Sequence, residues 1–185
     1  MPGVDWVIAD RWVMPPESTA FFGERPLYLP SGFQVSDRRR EVGAATTRRA
    51  CGLPEQGFVF CAFNNSFKIT EAVFSRWMRI LCQVPGSVLW LLAEEAEVKH
   101  NLLAAARAAG VAADRLAFAP RIAPPDHLAR LALADLFLDT FPYNGGTTVN
   151  DALWMGLPVL TRSGQTFASR MAGASSPQVF WSPIR

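Results

Sequence analysis

From Gly57 onward the apolar positions fall into short runs separated by amphipathic stretches. Phe58-Val-Phe-Cys-Ala-Phe is nearly continuous, the pattern of a strand covered on both faces. Asn64-Asn-Ser-Phe-Lys-Ile follows as a polar loop, and Thr70 is placed to cap a helix. Val73, Phe74, Trp77, Ile80, Leu81 and Val84 recur at helical spacing, so this helix packs one face on a sheet and stops at Pro85-Gly86. The unit then repeats. Val88-Leu-Trp-Leu-Leu predicts a strand, Glu94 to Ala109 an alanine-rich helix ended by Gly110, and Leu116-Ala-Phe-Ala another strand. Pro124-Pro-Asp-His-Leu opens a helix with proline in its first turn. Leu136-Phe-Leu-Asp is a strand, Thr147 to Met155 a helix closed by Gly156, and Pro158-Val-Leu-Thr a last strand before a further helix near Thr166. Alternating strands and helices of this length predict βαβ units and a parallel, Rossmann-like α/β sheet.

Residues 1–54 lack that regularity. Met14-Pro-Pro, Arg25-Pro-Leu-Tyr-Leu-Pro-Ser-Gly and Asp37-Arg-Arg-Arg-Glu interrupt short apolar pieces, which predicts connecting structure rather than an independent core. The expected organisation is therefore a lead-in over 1–54, a regular lobe over 55–175, and a tail over 176–185. The arginines at 38–40 and 48–49 read as a solvated linker.

Composition narrows the classes. Half of the 185 residues are hydrophobic and 18% are charged, so a globular fold is expected. A net charge of +2 gives no argument for a nucleic-acid partner. No run reaches the ~18 apolar residues of a membrane span, and the first residues lack a signal-peptide pattern. Cys51, Cys61 and Cys82 are odd in number without CxxC spacing, which fits reduced thiols in a cytoplasmic protein. With His100 and His127 the only histidines, a zinc site is not expected.

In parallel sheets, ligands sit beyond the carboxyl ends of strands, so three strand-to-helix loops matter. In the first, Lys68 either neutralises a departing diphosphate or is a solvated lysine. In the second, Ala119 to His127, exposed backbone and His127 could meet a base or ribose; alternatively Asp126 and His127 cap the helix and Arg130 is a surface charge. In the third, Asn144-Gly-Gly-Thr-Thr leads into a helix whose N–H groups and dipole suit an anion, with Asp151 one turn inside to accept from sugar hydroxyls. An ordinary glycine turn before a capped helix gives the same letters. The loop is neither a Walker A sequence nor a GxGxxG fingerprint. With no Asp-x-Asp in a loop, a metal-held diphosphate is not expected, and Asp139 and Asp151 do not read as an acid/base pair.

Phe63-Asn-Asn-Ser-Phe-Lys-Ile, Val84-Pro-Gly-Ser-Val-Leu-Trp-Leu-Leu, the run from Leu136 to Thr161 and Gly164-Gln-Thr-Phe-Ala-Ser-Arg, in this order, resemble the C-terminal catalytic lobe of protein O-GlcNAc transferases and SPINDLY-like proteins. The resemblance covers roughly residues 55–171, and Asp5-Trp-Val-Ile-Ala-Asp through Tyr28-Leu-Pro is similar to the end of that family's first lobe. It implies a GT-B architecture and inverting, metal-independent transfer of GlcNAc from UDP-GlcNAc to Ser or Thr of proteins, with no cofactor beyond the donor. By matching motif, Lys68 would stabilise the UDP leaving group and Asn65 would lie beside the diphosphate. Ile122 would offer backbone to uracil, with His127 near the base and Arg130 nearby. The segment Gly146-Thr147-Thr148 would hold phosphates and Asp151 the ribose.

Three positions depart from animal relatives: Gly146 stands where they carry histidine, Asn65 where they carry glutamine, and Pro124 where they carry a ribose-side lysine. Bacterial relatives look closer. The resemblance also implies that tetratricopeptide repeats and most of the acceptor-side first lobe belong to a longer protein, so this chain alone is expected not to transfer sugar. The alternatives are a related transferase using GDP-fucose or modifying asparagine, or an inactive nucleotide-binding remnant.

Overall fold

The structure, a computed structural model, describes residues 3–174; the expected tail over 176–185 lies outside the described residues. Five strands form one parallel sheet: β3 (Val59–Ala62), β4 (Val88–Leu92), β5 (Leu116–Ala119), β6 (Leu136–Leu138) and β7 (Val159–Leu160), in the order β5-β4-β3-β6-β7. The lead-in contributes β1 (Trp6–Ala9) and β2 (Arg25–Tyr28), a separate parallel pair. The helices between strands are α1 (Glu71–Gln83), α2 (Ala96–Ala108), α3 (Pro124–Leu131) and α4 (Thr147–Trp154), followed by a short α5 (Met171–Ala174). This is the α/β arrangement expected of a GT-B C-terminal lobe.

Side-chain alternation explains the two layers. On β3, Val59 and Cys61 join a core with Leu128, Leu131, Val149 and Ala152, the buried faces of α3 and α4. Phe60 and Ala62 join the opposite core with Val73, Phe74, Trp77 and Leu81 of α1. On β4, Val88 and Trp90 face the first core, Leu89 and Leu91 the second. A strand so placed has no polar face, which is why the sequence reads as unbroken apolar runs. Each fully buried side chain such as Trp90, Phe63 or Phe137 contributes about 1.5–3 kcal/mol, an upper figure set by the unfolded reference.

Helix ends follow the local chemistry expected of them. The Thr70 side chain accepts from the Val73 N–H and starts α1, and Gly86 turns the chain at φ 75° after its end. The chain runs outward from β3 through β4 to β5, then returns beyond β3 to β6. The order therefore reverses at β3 and β6, and the loops leaving those two strands open onto one crevice.

The lead-in is more ordered than its sequence suggests. Buried Asp10 accepts from Trp12 N at 2.8 Å, Val13 N at 2.7 Å and Phe33 N at 2.9 Å, folding the segment around one carboxylate. Ala9, Val13 and Met14 then pack with Phe33, Phe167, Met171 and Ala174. The lead-in has no core of its own; it shares one with the last described helix. Trp12 and Arg170 lock this junction, the Trp12 indole donating to Arg170 O at 3.2 Å and Arg170 Nε to Trp12 O at 2.6 Å.

Candidate functional site

Two loops at the reversal point are tied together by Asn64 and Asp139. Asn64 is 1% exposed and donates to Asp139 Oδ1 and to Thr140 Oγ1, both at 2.9 Å, while its carbonyl oxygen accepts from the Thr148 hydroxyl. Asp139 also accepts from Thr140 N at 2.8 Å, Gly145 N at 2.7 Å and Thr161 Oγ1 at 2.7 Å. Burial raises the Asp139 pKa, and these donors oppose the rise. Asp139 is thus a structural hub clamping the glycine loop onto the sheet, not a carboxylate facing the crevice.

That clamp leaves no room at Gly145, where a Cβ would lie 2.6 Å from Thr148 Oγ1 and 2.8 Å from Asn64 Oδ1. Gly146 is the N-cap of α4 and supplies no side-chain hydrogen bond. The first N–H groups of α4 are left for a ligand or water. Lys68 sits at the end of a 3₁₀ turn over Ser66–Lys68. Its ammonium donates to Asn144 O at 3.0 Å and lies 3.8 Å from the Tyr143 ring centroid. Partial burial lowers the Lys68 pKa, and the Asp139 charge opposes that shift.

The loop after β5 supplies the other wall. Arg130, expected either near the base or as a surface charge, is 3% exposed. It donates to Pro120 O at 2.7 Å and stacks 4.8 Å from the Phe63 centroid. Its Nε and Nη2 lie 3.1 and 2.7 Å from His127 Nδ1. The helix cap read for Asp126 and His127 is absent: Ala123 is the N-cap of α3, without a side-chain bond. Burial first, then Arg130, pushes the His127 pKa down to about 4, so its imidazole is neutral at neutral pH.

Lys68, Asn65, Ile122, His127, Arg130, Gly146, Thr147, Thr148 and Asp151, the nine positions singled out from sequence, all line one open cavity of about 580 Å³. Sequence reading missed Gln34, Tyr143 and Met171 in the same wall. It also misassigned Arg40. Arg38 and Arg39 are exposed, but Arg40 reaches into the cavity and pairs with Asp151, with Trp154 6.0 Å below its guanidinium. Its position in an arginine run resembled a linker because the contact spans 111 residues. Arg48 is likewise engaged, with Gly57 O at 2.7 Å and Asp135 at 3.1 Å. The cavity lining carries four cationic side chains, Arg40, Lys68, Arg121 and Arg130, against one carboxylate, Asp151, which suits an anion. Among the described residues no helix is long and apolar enough to cross a membrane.

Comparison with known proteins gives the family and the fold. Glycosyl transferase family 41 matches residues 38–180. A probable UDP-N-acetylglucosamine--peptide N-acetylglucosaminyltransferase SEC of Arabidopsis thaliana is 33% identical over 177 residues, covering 92% of this chain and 18% of the relative. A probable transferase of the same description, SPINDLY of Petunia hybrida, is 34% identical over 173 residues, covering 91% of this chain and 18% of the relative. An O-GlcNAc transferase of Thermobaculum terrenum, solved as its K341M mutant, superposes with a TM-score of 0.79 at 30% identity, covering 93% of this chain and 32% of that one. The chain thus spans under a fifth of the length of these two plant relatives. By sequence match over most of its length and by fold, this chain belongs to glycosyl transferase family 41.

Proposed function

We propose that the chain forms the donor site of a protein O-GlcNAc transferase, holding UDP-GlcNAc for inverting, metal-independent transfer to Ser or Thr hydroxyls. The observation that carries this reading is the convergence of Lys68 and the uncapped amino end of α4 on one cationic cavity. The names of the plant relatives, UDP-N-acetylglucosamine--peptide transferases, support this donor. A diphosphate lying between Thr147, Thr148 and Lys68 would meet helix N–H groups, the Thr147 hydroxyl and the Lys68 ammonium, the Thr148 hydroxyl being donated to Asn64.

In this reading the acceptor hydroxyl oxygen bonds to the anomeric carbon as the bond from that carbon to the β-phosphate oxygen breaks, and the hydroxyl proton passes to water. Charge then accumulates on the departing UDP, where Lys68 and the α4 dipole stabilise it more than in the ground state. Asn65 flanks the diphosphate, its carbonyl oxygen held by Arg121 at 2.5 Å. Ile122 offers main chain to uracil, His127 and Arg130 lie by the base, and Asp151 takes the ribose.

Calorimetric titration of the chain with UDP, with GDP as competitor, tests the reading. UDP binding that GDP displaces poorly is expected. Preferential binding of GDP would point to a different sugar donor, and binding of neither would remove the nucleotide reading.

A further inference from the structure

The irregular segment 32–43 crosses the amino ends of α3 and α4 as a strap. Gln34 lies over Gly146, where a Cβ would be 3.2 Å from its Oε1. Asn150 Nδ2 is 3.2 Å from Ser36 Oγ, and Gly43 N donates to Pro125 O at 2.9 Å. Between these anchors Arg40 turns inward. Side-chain exposure is 19% for Arg40 and 12% for Asp151.

Neither group has its hydrogen bonding completed by the protein. A guanidinium has five N–H donors, and among the described residues Asp151 is the one acceptor that Arg40 meets. Asp151 gives Oδ1 to Arg40, while Oδ2 stands 3.8 Å from His127 Nε2, too far for a hydrogen bond. The pair lines the open cavity, so its unspent donors and its unspent acceptor stand side by side where a ligand can reach them. Its complement is a group that both donates and accepts at neighbouring atoms, as a vicinal diol does.

We infer that Arg40 is a ligand-binding residue which, paired with Asp151, reads the 2′,3′-diol of a ribonucleotide. Asp151 Oδ2 accepts from one hydroxyl and Arg40 donates to the hydroxyl oxygens. The strap thereby joins the nucleotide site from a segment outside the regular lobe. This inference rests on the nucleotide reading above and adds discrimination between ribose and deoxyribose.

The test is calorimetric titration of the full chain, wild type, Arg40→Ala and Arg40→Lys, with UDP and 2′-deoxy-UDP. A hydrogen bond involving a charged group corresponds to roughly a tenfold change or more in affinity. Wild type should therefore bind UDP about tenfold tighter than 2′-deoxy-UDP. In Arg40→Ala that ratio should fall toward one, mainly through loss of UDP affinity. Arg40→Lys, which keeps the charge but not the planar fork, should also narrow the ratio, separating diol recognition from long-range attraction. UDP and 2′-deoxy-UDP differ only at the 2′-hydroxyl, so a change in their ratio belongs to the ribose and not to uracil or the diphosphate. An unchanged ratio in both variants, or equal weakening of both ligands, overturns the inference. Failure of wild type to bind UDP at all removes the nucleotide reading and this inference with it.

Discussion

Arg130 Nη2 stands 2.7 Å from His127 Nδ1, and because a guanidinium can only donate, this contact fixes the imidazole as an Nδ1 acceptor with its proton on Nε2. Nε2 points to the Asp151 side of the cavity. The neutral Nε2–H tautomer is thus built into the fold by a buried cation.

This arrangement makes stability depend on acidity. The His127 pKa falls from 6.5 to about 4 on folding, so between those values the unfolded chain binds more protons than the folded one. Stability is undiminished above pH 6.5, declines as pH falls toward 4, and carries the whole penalty below that. Replacing His127 with Asn should flatten this part of the profile, measured as urea unfolding at pH 7 and pH 4.5. Asp139, whose pKa is raised, contributes with the opposite sign, so the variant rather than the bare slope is the readout. Equal slopes in wild type and His127→Asn would refute the assignment.

Asp139 should be among the costliest polar residues to remove. Asp139→Ala strands the Thr140 and Gly145 amides, the Asn64 amide and the Thr161 hydroxyl inside the protein. The expected loss is about 3–5 kcal/mol in denaturant unfolding. A loss below about 1 kcal/mol, no more than one ordinary hydrogen bond, would mean that the hub does not hold the loop.

The adjacent glycines should respond differently. At Gly145 an added methyl meets Thr148, Asn64 and Val149 side chains within 2.6–2.8 Å, all anchored by the hub or the core. At Gly146 the nearest atom is the flexible Met171 Cε at 2.9 Å. Gly145→Ala should cost about 1–3 kcal/mol and weaken ligand binding, whereas Gly146→Ala should be milder in stability. Thermal unfolding of both variants checks this ordering, and the reverse order would contradict the geometry.

Much of the fold and of the site is legible in the sequence. Strand and helix positions from β3 to β7 follow from unbroken apolar runs and 3.6-residue spacing, because an element covered by others writes its burial into its own periodicity whichever partners cover it. The Thr70 cap and the glycine stops are local chemistry, and they occur where read. The loops were found by the rule placing ligands at strand carboxyl ends, and their nine chosen residues share a cavity. What escaped reading depends on distant partners. Trp6–Ala9 pairs with Arg25–Tyr28 in a run too short to signal a strand alone. Asn64 and Asp139 become hubs only once three segments meet, and Asp10 once its own turn meets Phe33. Arg40 looked like one charge in an exposed series, and only the strap's path brings it to Asp151.

The central claim is that Lys68 and the α4 amino end hold one diphosphate. Isothermal titration of wild type, Lys68→Ala and Thr147→Ala with UDP tests it most directly. Loss of a charged donor should weaken binding roughly tenfold or more in Lys68→Ala, with a smaller loss in Thr147→Ala. Wild-type affinity for UDP in both variants would contradict the claim.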